Sequence, residues 1–150
     1  MSIFVVRFVN VVLVGLMTGI VFGIWLGCDP KKLSFQGYVE YQQGLINGFN
    51  VLMPLLGLIT ILLTVLSAVL QRDDTGVFTT LLLAVALLIL SGLITRFGNQ
   101  PINAVVITWK PDSPPNEWTA LRDKWWWLHI VRSLAIGVSF CLVTWSSLRR

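Results

Sequence analysis

A stripe of polar and aromatic side chains follows one helical face near the C-terminal end of the chain. Its members recur at spacings of four, three, four, three and four residues, which places them on one side of a helix. They are Trp118, Arg122, Trp125, His129, Arg132 and Ile136. A histidine can exchange a proton near neutral pH, and an arginine beside it can stabilise a developing anion. The stripe predicts an acid–base site whose candidate catalytic residues are His129, Arg132 and Arg122.

A second stripe lies earlier in the chain, at spacings of three, four, three and four residues. It consists of Glu40, Gln43, Asn47, Asn50 and Pro54. Its carboxylate and amides are candidates for substrate binding, and hydrogen bonding between helices is the alternative interpretation. Since an unpaired charge in a membrane is costly, we expect Glu40 to pair with Arg122 or Arg132.

Two asparagines flank a proline after the third apolar run. The sequence Asn99-Gln100-Pro101-Ile102-Asn103 predicts a rigid turn that caps a helix or frames the mouth of a pocket. We expect Asn99 and Asn103 to bind substrate beside the two stripes. Trp118 and Trp125 would wall the cavity, with packing and anchoring at the membrane surface as the alternative role.

The chain shows no familiar cofactor-binding motif. It has one histidine and two widely separated cysteines, so neither a histidine-rich nor a cysteine–histidine metal site is predicted. We predict no metal and no cofactor. Two alternatives stay open: a metal held by Glu40, His129 and an asparagine, and a haem with His129 as axial ligand and Met53 as its partner.

The elements that must position these residues are membrane spans. The chain is 55% hydrophobic and only 12% charged, whereas a soluble domain carries about 25% charged residues. A span needs about 20 mainly apolar residues, and such runs cover residues 3–27, 48–70, 77–95 and 128–148. The short charged link between the second and third runs requires antiparallel neighbours. We predict one all-α domain over residues 1–150, an antiparallel four-helix transmembrane bundle.

Helices 2 and 4 are expected to extend beyond the membrane on the same side. Ser34 is a predicted N-cap of helix 2, well before its apolar run, and Gly44, Gly48 and Pro54 are candidate kink points. Asn116 is the predicted cap of helix 4. The proline-rich stretch 96–117 predicts an ordered loop without helix.

The charge distribution excludes a nucleic-acid-binding protein. The formal charge is +4, but the basic residues are scattered at the ends of the apolar runs, as membrane-flanking residues are. We expect a multi-pass protein of the cell membrane, with lipid and a small hydrophobic ligand as partners and oligomerisation left open. Both orientations stay open, because a count of basic residues favours cytoplasmic loops whereas several of those residues belong to the candidate site.

The motifs of the second half resemble those of the anthrone oxygenase-like membrane family. The resemblance is carried by the Asn99-x-Pro101-Ile102-Asn103 and His129-x-x-Arg132 patterns, together with five residues between them, Trp109, Pro114, Trp118, Arg122 and Trp125. It implies four transmembrane helices. It also implies oxidation of an anthrone-like or quinol-like aromatic substrate without a conventional cofactor. The alternatives are a non-catalytic protein that binds a lipid, quinone or haem, and a structural subunit whose stripes bind a partner helix.

Overall fold

A computed structural model describes residues 3–149 of the chain. Residues 1–2 and 150 of the predicted domain, among them the basic Arg150 that follows the last apolar run, lie outside the described residues. The α-helices are α1 (Ile3–Gly27), α2 (Phe35–Phe49), α3 (Leu52–Leu70), α4 (Thr75–Ile94), α5 (Gln100–Val106) and α6 (Trp118–Leu148). A short 3₁₀ turn covers Pro30–Lys32, and a π-helical turn, Thr95–Asn99, joins α4 to α5.

Four helical segments are long and apolar enough to cross a membrane: those that contain α1, α3, α4 and α6. α1 packs against α3 and α6, and α4 packs against the same two helices. The chain reverses direction at each connection, so these helices form an antiparallel bundle. The predicted fold class is confirmed, and the composition is that of an integral membrane protein.

The two ends of the bundle differ in composition. The terminal end, where α1 begins, α3 turns into α4 and α6 ends, has a core of small and branched side chains: Val14, Ala68, Val77, Leu81, Ala84 and Val143. Small residues let membrane helices approach closely. The loop end, formed by α2, α5 and the start of α6, has a bulkier core: Tyr38, Ile46, Ile102, Val106 and Trp125. The bundle is therefore tightest at the terminal end.

Helix 2 of the prediction is two helices. Ser34 is its N-cap as predicted, since its hydroxyl accepts a hydrogen bond from the Gly37 N–H at 3.2 Å. The helix breaks at residues 50–51, between α2 and α3, and Pro54 lies in the first turn of α3. A proline is tolerated near a helix start, because the N–H groups there have no helical partner. The apolar span accordingly begins at Leu52, four residues after the predicted Gly48.

The prediction of a loop across residues 96–117 is wrong for its first half. The helix continues from Ile94 through the π-helical turn and α5 to Val106. Pro101 has no N–H to donate, and the π-helical turn directly before it accommodates this gap in the hydrogen-bond pattern of the continuous helix. The Gln100 N–H bonds to the Thr95 carbonyl across the π-helical turn, which inserts a residue and keeps the backbone bonded.

The last helix begins at Trp118, one of the two predicted starts. Asn116 is not its cap: Glu117 occupies that position, and its side chain makes no capping hydrogen bond. At 1.5 Å per residue, the 31 residues of α6 exceed the roughly 30 Å of hydrocarbon in a bilayer. The helix must therefore extend past the lipid, as predicted from the tryptophans near its start.

Candidate functional site

Arg132 is held by two side chains and keeps hydrogen-bonding capacity to spare. Its Nε and Nη2 atoms lie 3.2 and 2.9 Å from His129 Nδ1, and its Nη1 donates to Thr95 Oγ1 at 3.2 Å. The Thr95 hydroxyl in turn donates to the Ser91 carbonyl at 2.9 Å. A guanidinium has five N–H donors. These contacts use three of them, so two N–H groups remain for a ligand.

His129 is fully buried, and its ring is fixed on every side. Its Nε2 lies 3.0 Å from the Val21 carbonyl oxygen, which can only accept, so Nε2 carries the hydrogen. The lone pair of Nδ1 then faces the Arg132 guanidinium. The ring stacks on Trp125 and Trp126, with centroids 5.1 and 5.8 Å away. Both nitrogens are therefore engaged, and the histidine orients the arginine.

The larger of two cavities lies between the four spanning helices and ends at Arg132. Its volume is about 230 Å³, and most of its lining is apolar. Its polar lining is concentrated at the end near the π-helical turn, where Thr95, Arg96, Gln100 and Arg132 meet. Since benzene binds in an engineered apolar cavity of roughly 150 Å³, a larger aromatic molecule fits here.

A smaller polar chamber of about 40 Å³ adjoins the larger cavity. Arg132 and Thr95 line both spaces, so the guanidinium stands between them. The polar side chains on the far side of the chamber are Gln42, Asn50, Asn103 and Trp125. This chamber brings two of the predicted asparagines, Asn50 and Asn103, next to the arginine, and Trp125 forms part of its wall.

Asn103 is the centre of the hydrogen bonds in the polar chamber. Its Oδ1 accepts from the Trp125 indole N–H at 2.8 Å and from Gln42 Nε2 at 3.4 Å. Its Nδ2 donates to Asn50 Oδ1 at 2.9 Å. One amide therefore ties α2, α5 and α6 together.

Asn99 lies one helical turn before Asn103 and is buried. Its Nδ2 donates to the Trp125 carbonyl at 3.1 Å, while its Oδ1 has no hydrogen-bond partner. The prediction placed both asparagines in a rigid turn around Pro101. Because the helix continues instead, the two amides project from successive helical turns toward α6.

The predicted pairing of Glu40 with an arginine is wrong. Glu40 is exposed on α2, where its carboxylate accepts from Gln36 Nε2 at 3.0 Å. Arg122 pairs with Asp123 at 2.9 Å and lies over the Trp118 ring at 4.9 Å. Neither Glu40 nor Arg122 lines either cavity. Glu40 is therefore hydrated, whereas the largely buried guanidinium of Arg122 is stabilised by Asp123 and the Trp118 ring.

Three other predicted binding residues also lie elsewhere. Gln43 donates to the carbonyls of Val106 and Trp109, at 3.1 and 2.9 Å, and so satisfies the end of α5. Asn47 is exposed. Trp118 packs against the rings of Phe35 and Tyr38 and lines neither cavity.

Gln42 and Tyr38 are buried residues that the polar stripe of α2 did not include. Tyr38, Gln42 and Ile46 are spaced by four residues, and they form the face of α2 that packs on the bundle. The sequence signal for this buried face was the spacing, since an aromatic residue lies four positions before Gln42 and an apolar residue lies four positions after it. Burial raises the pKa of the Tyr38 phenol above its ordinary value, against a smaller opposing effect of Arg122.

The residues do not fit the two metal alternatives. Among residues 3–149, no three histidine, cysteine, aspartate or glutamate side chains come together. Glu40 is exposed and bonded to Gln36, whereas His129 is buried. An axial haem ligand needs a free imidazole nitrogen, and both nitrogens of His129 already have partners.

The fold and cavities define a class: a four-span membrane protein with an apolar cavity that ends at an arginine. A family model described as anthrone oxygenase matches residues 43–142, two thirds of the chain. The protein therefore belongs to the anthrone oxygenase family, as its motifs indicated. No curated protein and no solved structure matches it.

Proposed function

We propose that the protein oxidises a small hydrophobic aromatic or quinol-like substrate in the larger cavity, with Arg132 binding the substrate oxygen. The observation that carries the proposal is the position of Arg132. It borders an apolar cavity with two N–H groups to spare, and no carboxylate among residues 3–149 pairs with it. An uncompensated cation within a membrane helix is costly, so an anionic oxygen is its natural ligand.

An arginine in this position can promote carbon oxidation without a metal. In an anthrone, loss of a proton from the methylene carbon gives an enolate, whose charge resides largely on the carbonyl oxygen. Arg132 would hold that oxygen and stabilise the anion, an effect that is strong where water is excluded. The electron-rich carbon then reacts with dioxygen. The methylene loses two hydrogens and gains one oxygen atom as a carbonyl, and the second oxygen atom leaves as water.

We assign the role of proton acceptor for the substrate to a water molecule in the polar chamber. Gln42 is buried, and its Oε1 lines that chamber without a protein partner. A water there has an acceptor in Gln42 and further partners in Asn50 and Asn103, enough to hold it. The chamber borders Arg132, so the water lies next to the substrate oxygen and can accept the O–H proton of the enol tautomer. Loss of that proton gives the same enolate as loss of a proton from the methylene carbon. His129 acts in this scheme as a positioning residue, because its Nδ1 accepts from the guanidinium.

Oxygen consumption with anthrone as substrate tests the proposal. In purified protein in lipid nanodiscs, we expect anthrone-dependent uptake of dioxygen and formation of the corresponding quinone. Arg132→Met should lower the rate by about 10²–10³, the effect of removing one stabiliser of a developing oxyanion. Arg122→Met is the matched control on the same helix and should keep the wild-type rate. Equal rates in the two variants would remove Arg132 from the reaction.

Two substitutions of His129 separate positioning from proton abstraction. His129→Asn keeps an acceptor close to the position of Nδ1, and we expect it to retain much of the activity. His129→Phe has no acceptor, so Arg132 loses its support and activity should fall strongly. If His129 were the base, both variants would be inactive, since an amide cannot take the proton.

A binding protein is the second candidate function. Both His129 nitrogens are engaged, and no histidine or carboxylate among residues 3–149 lines the larger cavity, so no side chain there serves as a general base, which favours binding alone. In that case anthrone would bind with an affinity that depends on Arg132, and dioxygen would not be consumed. The oxygen electrode and a binding assay on the same sample distinguish the two functions.

A further inference from the structure

The larger cavity is open toward the lipid between α3 and α4. Its inner wall is formed by buried residues, Met17 and Val21 of α1 and Leu88 of α4. Its outer rim includes Leu58 of α3, of which 54% is exposed, and the exposed Gly92 of α4. Both helices are membrane spans, so a ligand can pass between this rim and the bilayer without crossing water.

Two glycines keep this side of the cavity open. Gly57 on α3 and Gly92 on α4 both line it. A Cβ atom at the exposed Gly92 would have no other atom within 4 Å, and one at Gly57 would meet only Met17 of α1, at 3.6 Å. No side chain of the facing helix therefore fills the space beside either glycine. Toward the terminal end, α3 and α4 come together around Ala68 and Leu81. The gap is therefore local, at the depth of the cavity.

The charged side chains at the inner end of the cavity indicate which chemical group of the ligand binds there. Arg132 and Arg96 both line this end, and no carboxylate among the described residues pairs with either. Arg96 is exposed, so the group of the ligand that lies inside the cavity meets Arg132, whose two spare N–H groups are too few to replace the hydration of a phosphate group. A phenolate or enolate oxygen spreads its charge into a ring and needs fewer donors.

The apolar walls of the cavity indicate the chemistry of the remaining part of the ligand. The sulfurs of Met17 and Met53 belong to side chains of the cavity wall, and thioethers make favourable contacts with aromatic rings. Met17 is fixed by the Thr60 hydroxyl, which lies 3.3 Å from its sulfur. Between the methionines and the lipid, the cavity is lined by the aliphatic side chains of Leu58 and Ile61. A ring that lies against the methionines would therefore have only aliphatic surface between it and the bilayer.

We propose that the ligand is an aromatic enol or phenol with an alkyl or isoprenoid chain. Its oxygen binds Arg132, its ring lies between the methionines, and its chain leaves through the gap at Gly57 and Gly92 into the bilayer. This inference rests on the cavity being the substrate site of the proposed function, and it adds the chain and the lateral route. The protein thus draws its ligand from the lipid phase.

Photo-crosslinking of the chain end tests the route. The probe is 1-naphthol carrying a twelve-carbon chain with a terminal diazirine, added to protein in phosphatidylcholine nanodiscs and mapped by peptide mass spectrometry. We expect labelling concentrated on the lipid-facing surface of α3 and α4 around Leu58. Uniform labelling of the exposed surfaces of all four spans would overturn the proposal.

Two glycine variants provide the matched comparison. Gly92→Leu fits the open space and closes the gap, so labelling on α3 and α4 should fall about tenfold, because the leucine displaces chain carbons whose burial contributes to affinity. Gly19→Leu on α1 has equally open surroundings and lines neither cavity, so labelling should not change. Unchanged labelling in Gly92→Leu would refute the gap as the route.

Two further measurements separate this inference from its alternatives. Replacing half of the phosphatidylcholine by phosphatidylglycerol should leave labelling unchanged, whereas displacement of the probe would identify an anionic lipid as the occupant and refute the proposal. Anthrone turnover is measured on the same samples. Selective labelling without turnover would refute the enzymatic function and support the route, and turnover without selective labelling would do the reverse.

Discussion

The terminal and loop ends of the bundle are built by different means. At the terminal end, small side chains pack closely, Asp74 caps α4 through the Val77 N–H at 3.0 Å, and Arg7 donates to the last carbonyls of α6. At the loop end, the chain breaks between α2 and α3, passes through a π-helical turn, and carries a proline inside a helical segment. The polar ends of both cavities lie on this side.

The difference shows how a small membrane protein accommodates a cavity. Regular helices with small contact residues pack tightly and leave no space. Each irregularity of the loop end shifts a helix or frees a polar group, and the hydrogen bonds of Asn103 hold the resulting arrangement together. Stability at this end therefore depends on a few polar side chains, whereas at the terminal end it is spread over many apolar contacts.

Removal of the central amide should have the largest effect. Asn103→Leu leaves the Trp125 indole N–H, the Gln42 amide and Asn50 Oδ1 without their partner. We expect the free energy of unfolding to fall by about 3 kcal/mol, since each stranded buried polar group costs about 1–3 kcal/mol. Unfolding in mixed detergent micelles, followed by tryptophan fluorescence, measures the change. A smaller loss than that of Thr64→Val, a variant in the terminal half described below, would contradict the conclusion that the loop end depends on a few polar side chains.

Arg7 is the corresponding polar support of the terminal end. Its Nη2 donates to the carbonyls of Ser146 and Arg149, at 3.0 and 2.6 Å. Arg7→Met should lower the free energy of unfolding by about 1 kcal/mol, because it removes a cation from the C-terminal end of a helix. Turnover per folded molecule should not change. A loss of activity as large as that of Arg132→Met would show that the two ends are not independent.

Thr64 supplies the matched polar contact deeper in the terminal half. Its buried hydroxyl lies 2.9 Å from Asn10 Oδ1, which links α3 to α1, and 2.8 Å from the Thr60 carbonyl of its own helix. Thr64→Val keeps the shape of the side chain, and we expect a loss of about 0.6 kcal/mol, the average for one hydrogen bond between membrane helices. The same micelle unfolding assay applies. If Thr64→Val lowered the free energy of unfolding as much as Asn103→Leu, the number of hydrogen bonds that a side chain makes would not determine its contribution to stability.

The smallest effect is expected from Tyr38→Phe at neutral pH. The phenol oxygen is buried without a hydrogen-bond partner, so its removal should leave stability unchanged or slightly higher. The advantage of the variant grows with pH. Because burial raises the pKa of the Tyr38 phenol, the folded state favours the neutral form. This contribution is complete below the unfolded pKa of about 10 and is lost as pH rises above it.

The pH dependence gives this prediction a direct check. Wild-type protein should lose stability above pH 10 faster than the Tyr38→Phe variant, measured by unfolding at a series of pH values. Parallel curves for the two proteins would indicate that the phenol is hydrated in the folded state. The loop end would then be more open to water than its packing shows.

The sequence by itself determined the number of spans, their antiparallel arrangement, the Ser34 cap and the family. These features depend on local composition and on motifs, which the chain carries whatever its packing. The stretch after Ile94 was harder to predict, because a π-helical turn with a proline resembles a loop in composition. The error mattered for the site, since helix and turn place Asn99 and Asn103 differently.

The tertiary structure decided what each polar side chain does. The sequence marked His129 and Arg132, but only the Val21 carbonyl of another helix determines which nitrogen of His129 carries the hydrogen and turns Nδ1 toward Arg132. It also marked Glu40 and Gln43 instead of Gln42, because polar spacing does not show which face of α2 is buried. Burial and hydrogen-bond partners arise from contacts between segments distant in sequence, and no local pattern contains them.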